Sequence, residues 1–248
     1  MRATLYAVPA SNAVLTVQLA LERKGISYRR VDQLPVLHRI GMRARRFDGC
    51  TVPGLVIDGR KVHGSSAILR ELDRLEPEPP LFPADPALRP RAEEALGWGE
   101  DVYQRTLRNL LPWSLLRRPG AVASVLQDAR MTVPTSLVVR VAKPAIYVNS
   151  LINSSNEEMV RRRLGELPGM FDHVDELIAT GVLNAEEPGA ADLMIAPSTC
   201  ALLWWEELRP LLEGRPAADH ARRVVPRFPG EIPPVFPRDA VPAPAPAA

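Results

Sequence analysis

Residues 4–8 form a short apolar run closed by Pro9, the pattern of a buried strand. Between residues 12 and 24, Val14, Val17 and Leu21 recur at helical spacing, and Gly25 stands where a glycine ends a helix. Ile26, Tyr28 and Val31 give residues 26–32 strand character, whereas the basic residues 34–48 show no clear period. Leu55 to Ile57 is an apolar run followed by Asp58-Gly59, the strongest short hairpin signal, with residues 60–63 as the returning strand. Ser65 or Ser66 caps a helix whose Ile68, Leu72 and Leu75 share a face. The order is strand, helix, strand, an undefined segment, hairpin, helix. A strand-helix-strand unit needs a crossover, so the first two strands are expected parallel and the closing hairpin antiparallel. The expectation is a small mixed α/β sheet with helices on its faces.

Six prolines then fall between residues 76 and 90: Pro77, Pro79, Pro80, Pro83, Pro86 and Pro90. Such a stretch is neither helix nor central strand and reads as an interdomain linker. Beyond it nothing alternates for long, and residues 91–111, 156–180, 190–205 and 216–224 read as helices. From 226 to 248, eight of 23 residues are proline, a tail expected to run extended over the surface or to be disordered. The organisation expected is therefore 1–76 as the mixed-sheet domain, 77–90 as linker, 91–225 as an all-helical domain and 226–248 as tail. No internal repeat is found.

Composition narrows the function classes. The chain has 248 residues and a net charge of only +2, so it lacks the global electrostatic footprint of a nucleic-acid binder. Its two distant cysteines, Cys50 and Cys200, make neither a disulfide framework nor a zinc site, and His38, His63, His173 and His220 have no metal-ligand spacing. No metal is expected. The first residues lack a signal-peptide pattern and no apolar stretch reaches the ~18 residues of a membrane span. A cytoplasmic location is the expectation.

Three local patterns carry possible chemistry. Ser11, with Asn12 after it, stands between the first strand and first helix. Unpaired N–H groups and a partial positive charge there favour a thiolate, and a hydroxyl donor lowers its pKa; the plain alternative is a helix N-cap. Thr51-Val52-Pro53 precedes the hairpin. A cis proline there would leave the Val52 backbone free to pair with a peptide-like ligand, and an ordinary trans proline opening a strand is the alternative. Gly64-Ser65-Ser66-Ala67-Ile68 opens the next helix, either as a carboxylate site or as a simple cap.

Taken in order, Leu5-Tyr6, Ser11, the run Leu19-Ala20-Leu21-Glu22-Arg23-Lys24-Gly25-Ile26-Ser27-Tyr28, Thr51-Val52-Pro53, Asp58-Gly59 and Ser65-x-Ala67-Ile68 closely resemble the first half of glutathione transferases. Gly189-Ala190-Ala191-Asp192-Leu193 resembles the folding motif of that family's helical half, with Asp192 at N3 reaching back to the capping N–H. The resemblance is specific over 4–75 and weaker over 90–225. It implies a thioredoxin-like N-terminal domain with a four-stranded mixed sheet, followed by an all-α C-terminal domain. Glutathione is the implied cosubstrate. Ser11 is matched to the thiol-activating serine, Val52 to the residue pairing with the cysteinyl backbone, Pro53 to the cis-proline and Ser65 to the γ-glutamyl carboxylate site, with Asn12 and Ser66 beside them. The implied activity is attack of the thiol on a hydrophobic electrophile by a homodimeric enzyme. An isomerase, dehalogenase or thioether lyase on the same fold, and a non-catalytic binding or scaffold module, are the rivals.

Two departures from the family pattern stand out. The residue before Ser65 is usually acidic or an amide and is here Gly64, so a contact to the ligand's amino group is missing or supplied elsewhere. The usual capping Ser or Thr is Gly189. The active turn Ser11-Asn12-Ala13-Val14 has no cysteine, which removes dithiol redox chemistry. The Arg-, Ala- and Pro-rich composition is that of a GC-rich genome and leaves another low-molecular-weight thiol open. Arg39, Arg43, Arg45 and Arg46 form a run able to meet a ligand carboxylate or simply to face solvent. Between Arg105 and Lys143 seven basic residues accompany one acid, Asp128. That segment reads first as a lid over the acceptor pocket and second as a membrane-surface element. Trp98, Tyr103 and Trp113 are candidates for the pocket wall or for core.

Overall fold

The computed structural model describes residues 1–127 and 135–243. Asp128 and the last five residues of the tail lie outside the described residues. The first half runs β1 (Ala3–Ala7), α1 (Asn12–Arg23), β2 (Tyr28–Asp32), α2 (His38–Ala44), β3 (Gly54–Ile57), β4 (Arg60–His63) and α3 (Ser65–Leu75). The sheet order is β2-β1-β3-β4. Strand β1 is parallel to β2, with Leu5 opposite Arg30, and antiparallel to β3, with Leu5 opposite Leu55. The β3–β4 hairpin turns through Asp58 and Gly59, both at positive φ, as a two-residue Asp-Gly turn requires. Alternation puts Ala3, Leu5 and Ala7 against α1 and α3, and these elements share one apolar cluster.

The basic segment with no readable period contains the seven-residue α2, whose only buried residue is Met42. Gly54 lets it close on the sheet: a Cβ there would meet Met42 Cε at 2.3 Å. Helix α3 begins at Ser65, so Gly64 rather than either serine is its N-cap, at φ 88°. That dihedral suits glycine. The proline-rich residues 76–88 carry no regular element and are fastened by Lys24. Its Nζ donates to Asp73 Oδ1 at 2.8 Å and to the Glu76 and Pro79 carbonyls, each at 2.6 Å.

The remainder is helical: α4 (Arg89–Trp98), a π-helical turn (Gly99–Tyr103), α5 (Gln104–Arg117), α6 (Ala121–Val125), α7 (Thr135–Ile152), α8 (Glu157–Ala179), α9 (Ala190–Leu202), α10 (Arg209–Leu212) and α11 (Pro216–Val224). Helix α9 is the axle. All but one of its residues are buried, and they serve both apolar clusters, one with the sheet and one among the helices. Asp192 at its third position accepts from the Gly189 N–H at 2.8 Å, which closes the helix start as the motif required. The segment expected as one helix over 91–111 is broken by the π turn. The proline tail runs extended, but not idly: Ile232 and Phe236 are buried in the helical cluster, and Ile232 bridges Trp205.

Candidate functional site

Ser11 is the N-cap of α1. Its backbone is extended (φ −90°, ψ 114°) and its Oγ accepts from the Val14 N–H at 3.3 Å. A hydroxyl has two acceptor lone pairs and one proton. Capping therefore uses only a lone pair, and the Ser11 proton is free to donate into the cleft that Ser11 lines. The two readings of Ser11 are compatible. The preceding Ala10 has φ 60°, a left-handed conformation uncommon outside glycine, which turns the chain abruptly between strand and helix. Of the first N–H groups of α1, which have no intrahelical acceptors, that of Val14 is met by the Ser11 hydroxyl.

Asn12 behaves otherwise. Its side chain is buried, and Nδ2 donates to Ser198 Oγ on α9 at 2.9 Å. It ties the two halves together, so only its backbone faces the Ser11 turn. The Val52-Pro53 bond is cis. Strand pairing between β1 and β3 ends at Gly54, which places the Val52 backbone beyond the ladder at the cleft edge. Thr51 and Val52 both line the cleft.

The start of α3 differs from the sequence expectation. Ser65 is buried and its Oγ donates inward to the Ala13 carbonyl at 3.4 Å. Ser66 Oγ donates to Glu100 Oε2 at 2.5 Å, and the Ser66 N–H donates to Glu100 Oε1 at 3.5 Å. A carboxylate thus sits at the N-terminus of α3, but it belongs to the protein. Glu100 also lies over the glycine: a Cβ on Gly64 would be 3.9 Å from Glu100 Oε1. The acidic group absent at position 64 is present in space, contributed from the π turn.

The π turn explains how. Gly99 packs so tightly on α9 that a Cβ would meet Met194 Cγ at 2.7 Å. From there the residues at four-residue intervals face the first half of the molecule. Glu100 reaches α3, Gln104 donates to Thr16 Oγ1 of α1 at 3.3 Å, and Arg108 lines the cleft. A π turn within an α-helix closes its hydrogen bonds over five residues instead of four and so shifts the register of everything after it.

The cleft is a cavity of about 720 Å³. One wall is the Ser11 turn, residues 34–39 and Thr51-Val52; the other is α5, α6 and α7, with Leu107, Leu111, Leu115 and Ile146. Val36, in the first wall, is held at φ 70°, a strained conformation for a β-branched side chain. Burial and the neighbouring Arg39 lower the His38 pKa to about 4, so this imidazole is neutral at pH 7. Trp98, Tyr103 and Trp113 are not in this wall. Trp98 stacks on Tyr103 at 5.0 Å, and Tyr103 and Trp113 are buried in the helical cluster. The basic stretch supplies the wall in their place, through Arg108, Leu111 and Pro112. Cys200 is an inert thiol, its pKa pushed up to about 12 by burial. Cys50 is half-buried. Among the described residues, no three His, Cys, Asp or Glu side chains converge as a metal site, and no helix is long and apolar enough to cross a membrane.

Residues 5–80 match the family described as glutathione S-transferase, N-terminal domain. Among solved structures, the chain is similar to a glutathione S-transferase from Sinorhizobium meliloti 1021, at 17% identity over 89% of this chain and 92% of that one, with a TM-score of 0.56. It is similar to a glutathione S-transferase from Rhodospirillum rubrum F11 at 19% identity, over 90% and 84%, with a TM-score of 0.55. It is also similar to a maleylacetoacetate isomerase from Anaeromyxobacter dehalogenans 2CP-1 with dicarboxyethyl glutathione and citrate bound in the active site, at 22% identity, over 90% and 84%, with a TM-score of 0.50. No curated protein sequence matches the chain. At these identities the structural likeness establishes the fold: a thioredoxin-like glutathione S-transferase N-terminal domain with a four-stranded mixed sheet, then a helical C-terminal domain.

Proposed function

We propose that this chain, which carries a glutathione S-transferase N-terminal domain over residues 5–80, is a glutathione-dependent enzyme that activates the thiol for attack on a hydrophobic electrophile. The observation that carries the reading is Ser11, a capping hydroxyl with its proton unspent, at a helix N-terminus opening on an apolar cavity. In this reading the cysteinyl backbone pairs with Val52 beyond the cis-Pro53 bond. The thiol loses its proton to solvent, and the sulfur accepts from Ser11 Oγ. A charge-assisted hydrogen bond of about 1.5–3 kcal/mol lowers a thiol pKa by roughly 1–2 units, at about 1.4 kcal/mol per unit. The thiolate then forms a carbon–sulfur bond with an acceptor held between α5 and α7.

Glu100 completes the proposal. A γ-glutamyl group carries an ammonium beside its carboxylate. Glu100, hydrogen-bonded to Ser66, offers the ammonium an anionic partner, while the remaining N–H groups at the start of α3 meet the carboxylate. The bound glutathione derivative in the isomerase of this fold supports a thiol tripeptide as the ligand. A homodimer and a cytoplasmic location belong to the same proposal. The same Glu100 contact also favours a second reading. A chain that fills its own carboxylate site is what a non-catalytic module retaining the fold would look like.

Calorimetric titration with reduced glutathione separates the two. Micromolar-to-millimolar binding is expected for the wild type. Glu100→Gln should weaken it about tenfold, and Ser11→Ala should keep binding but lose turnover with electrophiles. No heat of binding at ~5 mM thiol would overturn the glutathione assignment. Tighter binding by Glu100→Gln would mean that Glu100 blocks the site, and would favour the module.

A further inference from the structure

Exposed apolar side chains are not scattered over this molecule. Among the described residues, every large one left in solvent, Met1 apart, falls in residues 34–40 or 147–152. The first segment leads into α2 and the second ends α7. They form opposite lips of one opening: Leu34 and Leu37 line the cleft from one side, Val148 and Ile152 from the other. Ile40, Tyr147 and Leu151 do not line it and face solvent outside it, Ile40 at 69% and Leu151 at 64% exposure. Single exposed apolar residues need no explanation, but a cluster marks a surface that is covered in use.

The charge around this cluster has one sign. Residues 33–47 and 135–156 contain no Asp or Glu. Arg45 is engaged on the Tyr6 ring, 4.9 Å from its centroid. Arg39, Arg43, Arg46 and Lys143 have no ion-pair partner among the described residues. Of the acids that flank the two segments, Asp32 is held by Arg30 and Glu157 by Arg161. That leaves Asp48 and Glu158 against four cations.

Charge separates the occupants that an apolar face could take. A second copy seated on it about a two-fold axis would bring these cations against their own counterparts. An uncharged apolar partner would leave them with nothing to meet. A surface that is apolar within and anionic at its edge satisfies both sets. Aliphatic and tyrosine side chains enter the acyl boundary of a bilayer, while Arg and Lys stay at the head groups.

We propose that this face docks on an anionic lipid bilayer, entered by Ile40, Tyr147 and Leu151 and held by Arg39, Arg43, Arg46 and Lys143. The contact is peripheral, since among the described residues no helix is long and apolar enough to cross a membrane. The cleft mouth then opens at the bilayer surface, where a hydrophobic acceptor dissolved in lipid reaches it without crossing water. That last consequence rests on the function proposed above; the docking does not.

Vesicle flotation of the full chain without glutathione tests the docking alone. Wild type should bind phosphatidylcholine vesicles containing about 30% phosphatidylglycerol at least about tenfold more tightly than phosphatidylcholine alone, and about 0.5 M salt should release it. A basic residue near an anionic surface contributes about fivefold, so Arg43→Gln combined with Arg46→Gln should weaken binding about 25-fold. Ile40→Asp and Leu151→Asp should each weaken it about tenfold or more. Both positions are exposed, so an unchanged urea midpoint is expected for each variant. Arg222→Gln combined with Arg223→Gln removes the same charge from α11, outside this face, and should change binding less than about twofold. No binding to anionic vesicles, equal binding to neutral ones, or equal losses in the α2 and α11 variants would overturn the assignment. So would a wild-type dimer that Ile40→Asp splits in sedimentation equilibrium while vesicles bind neither form, because the occupant would then be a second copy. Failure of glutathione to bind would sink the thiol reading and leave the flotation result standing.

Discussion

Asp192→Ala tests whether one buried carboxylate holds the start of α9 to the loop before it and to α11. Asp192 is 3% exposed. Its Oδ2 accepts from the Gly189 N–H at 2.8 Å, and its Oδ1 accepts from the Asn184 N–H and bonds His220 Nε2, each at 2.7 Å. Truncation removes three partners at once and orphans two backbone donors. An unsatisfied buried donor costs about 1–3 kcal/mol. Asn184 is exposed, so water recovers its N–H, and the Gly189 and His220 losses remain. The sum is about 3 kcal/mol, a large share of the ~5–15 kcal/mol by which such chains are stable. The assay is urea unfolding followed by tryptophan fluorescence, since Trp204 and Trp205 lie in the same helical cluster. With a slope of ~3 kcal/mol per molar, the midpoint should fall by about 1 M with the slope unchanged. A fall of less than about 0.3 M would show that the loop before α9 relaxes at no cost, and would refute the claim that the carboxylate holds it.

Two further perturbations follow from buried groups. Lys24→Met should cost about 3 kcal/mol, because it leaves Asp73 and two carbonyls without the ammonium; limited proteolysis should then cut within residues 76–88 faster than in wild type, and unchanged cleavage there would show that the prolines hold the linker unaided. The His38 pKa is lowered to about 4 in the fold, against an ordinary 6.5. The unfolded chain therefore binds more protons between these values, and stability falls as pH drops from about 6.5 toward 4, by at most ~3 kcal/mol. His38→Gln should flatten that part of the profile, and an identical acid loss in both proteins would assign it to other groups.

The first half of the molecule was legible because its signals are local. Two-residue turn chemistry, short apolar runs and a helix-ending glycine gave the Asp58-Gly59 hairpin, the first strand and the end of α1 at Gly25 without reference to anything distant. Helix α7 was not legible. Pro144 sits within it and no acid marks its first turn, so the usual start and stop cues are missing. The tail misled for a related reason. Ile232 and the pair Val235-Phe236 stand isolated among prolines, and so short an anchor has no period to detect even when it is buried. Asn12 was readable as a neighbour of the candidate thiol site but not as a bridge, since Ser198 is 186 positions away.

Glu100 is the sharpest case, because its role depends on a register that no local pattern carries. From Glu100 to Arg108 is eight residues, and a regular α-helix would already place them near one face. What sets the direction of that face is the π turn at Gly99–Tyr103, and what permits the turn to approach α9 is a glycine with no room for a Cβ. Position 64 itself carries no side chain; the fold brings a carboxylate beside it from 36 positions later, on the other side of the linker. Glu100 puts a negative charge at the α3 N-terminus without being anchored on α3. A carboxylate anchored on α3 would move with the sheet. One anchored on α5's leading turn moves with the helical half, so any shift between the halves changes the α3 site and the Arg108 cavity together. Glu100, bonded to Ser66 of α3, and Arg108, on the cleft wall, stand on one continuous helical stretch, so the same π turn sets the direction in which both side chains leave it.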